Sequence, residues 1–245
     1  KKKNNFISYD FIKGKTFYNY YDVKSFKLLI NFLEKNLWNG KSKIDKSFLK
    51  NCKEFYFKKT HKRVDQFLKN NKLLDDRHFT YKKIQLLKVK NILKNINWSN
   101  LFNGIPKFIH GDLQFDNILK ISSKKYKLID WRPTFGKSVE IGDLYYDYAK
   151  LLGGLHINYD LVKLGRFKFE TQKLKLKLKI PKRKKTQKMI NFFENHLLSK
   201  KIDLKKVRVL TGLIFLNMSP LHHHPFDKLL FLYGKYFLQK NLSLN

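Results

Sequence analysis

A single cysteine, Cys52, stands among the 245 residues of the chain, so no disulfide can form within it. No apolar run is long enough to cross a bilayer as a helix, and membrane insertion is not expected. Cytoplasm is the expected compartment. Acidic residues are scarce, 19 Asp and Glu against 53 Lys and Arg, which leaves a net charge of +34. Arginine is scarce within that excess, confined to Arg63, Arg77, Arg132, Arg166, Arg183 and Arg208. Proteins that read bases directly favour arginine's bidentate fork, so no specific nucleic-acid partner is expected, although lysine charge alone attracts phosphate backbones at low salt. The lysines are spread along the chain beside abundant Asn, Ile and Phe, a composition that AT-rich codons give without selection for binding. The densest clusters, Lys1 to Lys3 and Lys182 to Lys185, read as solvated surface. No internal repeat is evident.

A chain of this length can bury a large core, and its patterning predicts an α+β fold, mainly α-helical. Asp22 is placed to cap a helix whose apolar residues Phe26, Leu29, Ile30, Leu33 and Leu37 recur at helical spacing, ending before Asn39-Gly40. A second helix is predicted from Lys46 through about Asn70, a loop at Asp75 to His78, and a third helix from Tyr81 to Asn95. Asn117 to Ile121 and Lys125 to Ile129 read as two strands joined by Ser122-Ser123-Lys124, a short β-hairpin. A basic insert over 165–185 alternates apolar and charged residues at Phe167 to Glu170 and Leu174 to Ile180, a strand pattern that Pro181 ends. Helices are expected over 186–199, 204–217 and 227–239.

Three polar residues carry a chemical spacing. Asp112, within His110-Gly111-Asp112, precedes Asn117 by the interval at which a phosphoryl-transfer loop sets its proton acceptor and an amide oxygen for magnesium. Asp130 follows the predicted hairpin, which would carry it to the same cation. Taken singly, an Asp, Asn or His is more often a cap, a turn residue or a surface group, and His110 alone would read as a core histidine. Asp143, between Gly142 and an apolar helical pattern, reads as the start of a buried helix. Asp147, one turn further, either supports the site or pairs with a lysine. The adjacent His222, His223 and His224 point different ways and read as packing, loop hydrogen bonds or substrate contact rather than a metal site.

Phe108 to Leu113, Asn117-Ile118-Leu119, Ile129-Asp130-Trp131 and Gly142 to Ala149 together resemble, in order, the motifs of the aminoglycoside phosphotransferase and choline kinase family, small-molecule kinases with a protein-kinase-like fold. The resemblance implies that Asp112 is the catalytic base, that Asn117 and Asp130 bind Mg2+, and that His110 and Asp143 brace the loop. It implies ATP or another nucleoside triphosphate as donor and a small-molecule hydroxyl as acceptor. Residues 15–245 would be the C-terminal lobe with its catalytic loop at 108–131. Residues 1–14 would be the last strand of an N-terminal lobe and its hinge, with Tyr9 and Phe11 against the nucleotide. No segment before Asp112 supplies the glycine-bearing turn and strand lysine of such a lobe, so these residues alone are expected to bind nucleotide poorly. The scarcity of carboxylates disfavours cationic aminoglycosides, and an aromatic cage for choline has only Trp131, Phe135, Tyr145 and Tyr146 as conceivable parts. A neutral or anionic compound fits the charge better, and the Trp131 to Gly136 stretch resembles members associated with sugar or polysaccharide metabolism. A non-catalytic kinase-like binding protein and a basic nucleic-acid binder stand as the alternatives.

Overall fold

Asp22 starts the first helix by accepting the Ser25 amide at 2.9 Å, which satisfies one of the donors a helix leaves open at its N-terminus. The structure, a computed structural model, describes residues 11–39 and 43–244. Strand β1 (Lys15–Thr16) precedes that helix, α1 (Val23–Asn36), whose stripe of Phe26, Leu29, Ile30 and Leu33 is fully buried. Next come α2 (Lys46–Cys52), a π-helical segment at Lys53–Lys58, and α3 (Lys59–Asp76), joined end to end, with a kink inside α3 at Asn71, where φ is −134°. The helix therefore runs past residue 70, and Asp75, expected in a loop, is buried in its last turn. There it accepts the Val89 amide at 3.1 Å and pairs with Lys235 at 2.5 Å, contacts made across the fold that local sequence does not announce.

The helix expected from Tyr81 to Asn95 is corrected. Lys82 and Lys83 take left-handed φ values of 49° and 66° and turn a hairpin of β2 (Thr80–Tyr81) and β3 (Ile84–Gln85), leaving only α4 (Val89–Lys94) helical. Tertiary packing overrides local pattern here: the Tyr81 ring meets Tyr236 edge-on at 4.8 Å, and β2 pairs with a strand from the basic insert.

Helix α5 (Trp98–Phe102) leads to β4 (Pro106–Phe108). The predicted hairpin forms as β5 (Ile118–Lys120) and β6 (Tyr126–Leu128), with Ile118 opposite Leu128, and β1 adds to its β5 edge. Strand β7 (Ile141–Asp143) pairs with β4 and continues directly into α6 (Leu144–His156). After α7 (Tyr159–Lys163), the insert forms β8 (Lys168–Gln172) and β9 (Lys175–Lys179) as its alternation predicts, and β9 lies parallel to β2. Helices α8 (Thr186–Ser199), α9 (Leu204–Met218) and α10 (Phe226–Leu242) follow close to their expected bounds.

The fold is α+β and mainly helical, with α6 at its centre against α9. Every residue of α6 from Leu144 to Leu155 is buried, so the charged groups it carries, Asp147 and Lys150, need partners inside the protein. Among the described residues no helix is long and apolar enough to cross a membrane.

Candidate active site

Two segments make the site: the loop from Ile109 to Asn117, between β4 and β5, and Ile129 to Arg132, just after β6. Phe115 anchors the first. Its ring lies 5.1 Å from Phe17, 5.6 Å from Tyr18 and 6.0 Å from Phe26, so the loop is pinned to the aromatic face of α1 and the turn before it. Gly111 needs to be glycine. Its φ is +76°, and a Cβ there would stand 2.7 Å from the Arg132 Cβ.

The two segments are stitched together. The Arg132 amide donates to the His110 carbonyl at 3.1 Å, and its Nε to the Gly111 carbonyl at 2.9 Å. His110, fully buried, donates from Nε2 to the Ile129 carbonyl at 2.9 Å and accepts the Asp112 amide on Nδ1 at 3.2 Å, a pair of contacts that requires the neutral imidazole. Burial pushes its pKa down, against the carboxylates of Asp147, Asp112 and Asp130. The Ile129 amide donates to the Asn117 carbonyl at 3.0 Å, which sets Asn117 beside the residue preceding Asp130.

Asp147 holds the whole loop from below. One oxygen accepts the Gly111 amide at 2.9 Å, and the other accepts the His110 amide at 2.9 Å and the Trp38 indole N–H at 3.0 Å. Burial pushes its carboxyl up while those three donors favour the ionised form. Asp143 has a different place from the one the resemblance implies. Its carboxylate caps α6 through the Tyr145 amide at 3.1 Å and accepts the Ile105 amide at 2.9 Å and the Tyr56 hydroxyl at 2.8 Å. It fixes the strand that leads into the loop, and the direct brace on His110 and Gly111 is Asp147.

Asp112 is ion-paired with Lys150 at 2.5 Å, and the lysine side chain is 2 % exposed. Burial alone would raise the Asp112 carboxyl, but Lys150, then Arg132 and His110, outweigh it and hold the group below its usual range. Lys150 was not singled out from the sequence, nor was Trp38. The signal for Lys150 was present: a lone lysine in an apolar helix, three residues beyond Asp147 and so on the same face.

Asn117 donates its side-chain amide to the Asp112 carbonyl at 2.9 Å, which commits the nitrogen and leaves Oδ1 as a free acceptor end. Asp130 is exposed and holds a left-handed φ of +57°, a conformation a non-glycine residue rarely adopts and one that concentrates at functional sites. Both offer hard oxygen donors of the kind magnesium takes. Among the described residues no group of three or more His, Cys, Asp and Glu could hold a metal. A cation here would rest on two protein side chains and complete its shell from phosphate oxygens and water, which is the usual habit of magnesium.

The remaining expected residues are more scattered. Tyr9 lies outside the described residues, and Phe11 is 89 % exposed. Trp131 and Phe108 are partly exposed, with rings 5.7 Å apart beside Asp130. His222 packs on Phe226 at 5.0 Å with its Nε2 buried and without a partner among the described residues, while His224 approaches Asp227 at 3.6 Å. Compared with protein-family models, curated proteins and solved structures, the chain matches none.

Proposed function

We propose that this chain carries the catalytic lobe of a small-molecule phosphotransferase, with a protein-kinase-like architecture, that moves the γ-phosphoryl group of a nucleoside triphosphate to a hydroxyl. The observation that carries the reading is the stitching of His110–Asn117 to Ile129–Arg132, which holds Asp112, Asn117 and Asp130 on two hydrogen-bonded neighbouring segments.

Asp112, kept ionised by Lys150, orients the acceptor hydroxyl and takes its proton. The hydroxyl oxygen bonds to the γ-phosphorus as the bond from phosphorus to the β,γ-bridging oxygen breaks, and the nucleoside diphosphate leaves with that electron pair. Asn117 and Asp130 would hold magnesium, which when bound neutralises charge on the transferring group. His110 and Asp147 contribute by fixing the loop, with no contact to the reacting atoms. A cytoplasmic location would supply the nucleotide and the cation.

The test is magnesium-dependent ATP turnover by the full-length protein over a panel of sugars, sugar phosphates, choline and aminoglycosides. Asp112→Asn is expected to lower turnover by about 10² to 10⁴ while sparing nucleotide binding, and Asp130→Ala to raise the magnesium requirement. Undiminished turnover in Asp112→Asn, or none in the wild type with every acceptor, overturns the reading.

A further inference from the structure

Beside Asp112 lies a concentration of positive charge that the loop's own architecture does not use. Lys59 opens α3 immediately after the π-helical segment, a local widening that often marks functional positions. Its Nζ stands 3.9 Å from the Phe55 ring centre and 5.8 Å from that of Tyr146. The Arg132 guanidinium lies 5.3 Å from the same Phe55 ring, with only its Nε engaged, on Gly111. Among the described residues no carboxylate is within ion-pair distance of either. Glu54, which borders the same recess, is held by Lys58.

The field these groups make converges on one point. Burial pushes the Lys59 ammonium down, with Arg132 and Lys150 adding repulsion. Burial should raise the Tyr146 hydroxyl, yet Lys59, Lys150 and Arg132 together pull it below its usual range. Uncompensated cations packed this closely are unfavourable until an anion joins them. The recess between them, about 330 Å³ and lined by Phe55, Lys59, Arg132, Thr134 and Lys137, is open and large enough for one.

The geometry points to a phosphate-binding subsite formed by Lys59 and Arg132, so that the acceptor hydroxyl compound already carries a phosphate monoester. Lys59 and Arg132, neither of them in an ion pair among the described residues, supply two positive charges, which matches a phosphate dianion. Arginine's fork suits its oxygens. A neutral sugar would leave these charges unanswered, and a cationic aminoglycoside would be repelled. The acceptor assignment rests on the phosphotransferase reading; the binding of the dianion does not.

Titration calorimetry on the 245-residue chain, at about 150 mM salt to screen the surface lysines, tests it with inorganic phosphate, ribose 5-phosphate and ribose. Both phosphate probes bind the wild type and ribose does not. Lys59→Gln weakens them about tenfold, the cost of one charge-assisted contact, and Lys59→Arg restores binding, which separates lost charge from lost fold. Lys168→Gln, the same charge change on exposed β8, leaves affinity unchanged. Equal affinity in Lys59→Gln and wild type, or equal loss in Lys168→Gln, overturns the subsite. Phosphate binding that depends on Lys59, without ATP turnover on any acceptor, overturns the phosphotransferase reading and leaves the subsite standing. Turnover on unphosphorylated sugars that Lys59→Gln does not alter overturns the acceptor assignment alone.

Discussion

Asp147 satisfies three N–H donors with one carboxylate, and two of those donors are consecutive amides of the loop that carries Asp112. Asparagine in its place would keep one acceptor oxygen and turn an NH2 group toward an N–H that needs an acceptor. Asp147→Asn is therefore expected to cost about 2–3 kcal/mol, the scale of a buried donor left unsatisfied beside a charged group, and to lower turnover as the loop shifts. Trp38→Phe, which frees the third acceptor site without disturbing the loop amides, is expected to cost about 1 kcal/mol and to spare turnover. Urea denaturation and turnover of both variants check this, and equal turnover in Asp147→Asn and wild type would remove Asp147 from the loop's support. His156 offers a pH test at the same scale. It sits at the end of α6 between the Tyr233 hydroxyl at 3.4 Å and the Phe237 ring at 4.7 Å. Burial, with Lys182, Arg208, Lys240 and Lys82, pushes its pKa down to about 3. An imidazole whose folded pKa lies below its unfolded value of about 6.5 contributes stability that is full above that value and is lost as pH falls toward the folded one. Between pH 7 and pH 5 this loss amounts to about 2 kcal/mol from His156 alone. His156→Gln should flatten the pH dependence by that amount in paired urea titrations, while the carboxylates contribute equally to both proteins and cancel. A variant as pH-sensitive as the wild type would show that His156 is protonated at little cost.

Elements were legible where their signals were local. The cap at Asp22, the stripe of α1, the hairpin of β5 and β6 and the alternation of β8 and β9 are each written in neighbouring residues, and each forms. Asp112, Asn117 and Asp130 were proposed the same way, by interval. The parts that were missed depend on contacts distant in sequence. Asp75 becomes helical and buried because Lys235 and the Val89 amide meet it. Lys150 gains its meaning only once α6 is laid under the loop. The hairpin of β2 and β3 is the sharpest case, since Lys82 and Lys83 give no turn signal and are forced into left-handed backbone by the packing of Tyr81 and the pairing with β9. That forcing has a cost. A two-residue loop with both φ values positive prefers Asn-Gly, and a lysine there carries left-handed strain. Lys82→Asn combined with Lys83→Gly is expected to raise stability by about 1 kcal/mol, read as a higher thermal midpoint. A lower midpoint would mean that the stem of Lys82, 5.4 Å from the Tyr81 ring and 5.8 Å from that of Tyr236, contributes more than the strain removes.

For the whole molecule the governing quantity is charge. With 53 basic residues and 19 acidic ones, few lysines can be paired, and ten ion pairs join described residues to one another, several of them involving histidine or arginine. Folding gathers the unpaired cations onto one surface, so the compact state bears more self-repulsion than the unfolded chain. Added salt screens repulsion over the many long separations, while it weakens the few exposed pairs only slightly, because such pairs contribute little to begin with. The buried pairs, Lys150 with Asp112 and Lys235 with Asp75, are screened least. The balance therefore favours the folded state as salt rises. The urea midpoint is expected to increase between about 0.01 M and about 0.5 M NaCl, with most of the gain complete near 0.15 M, where the screening length has shrunk from about 30 Å to about 8 Å. Urea is the denaturant of choice because guanidinium is itself a salt. A midpoint that falls with salt would mean that attraction among the ion pairs outweighs the lysine excess, and the charge would then have to be counted as part of what holds the fold together.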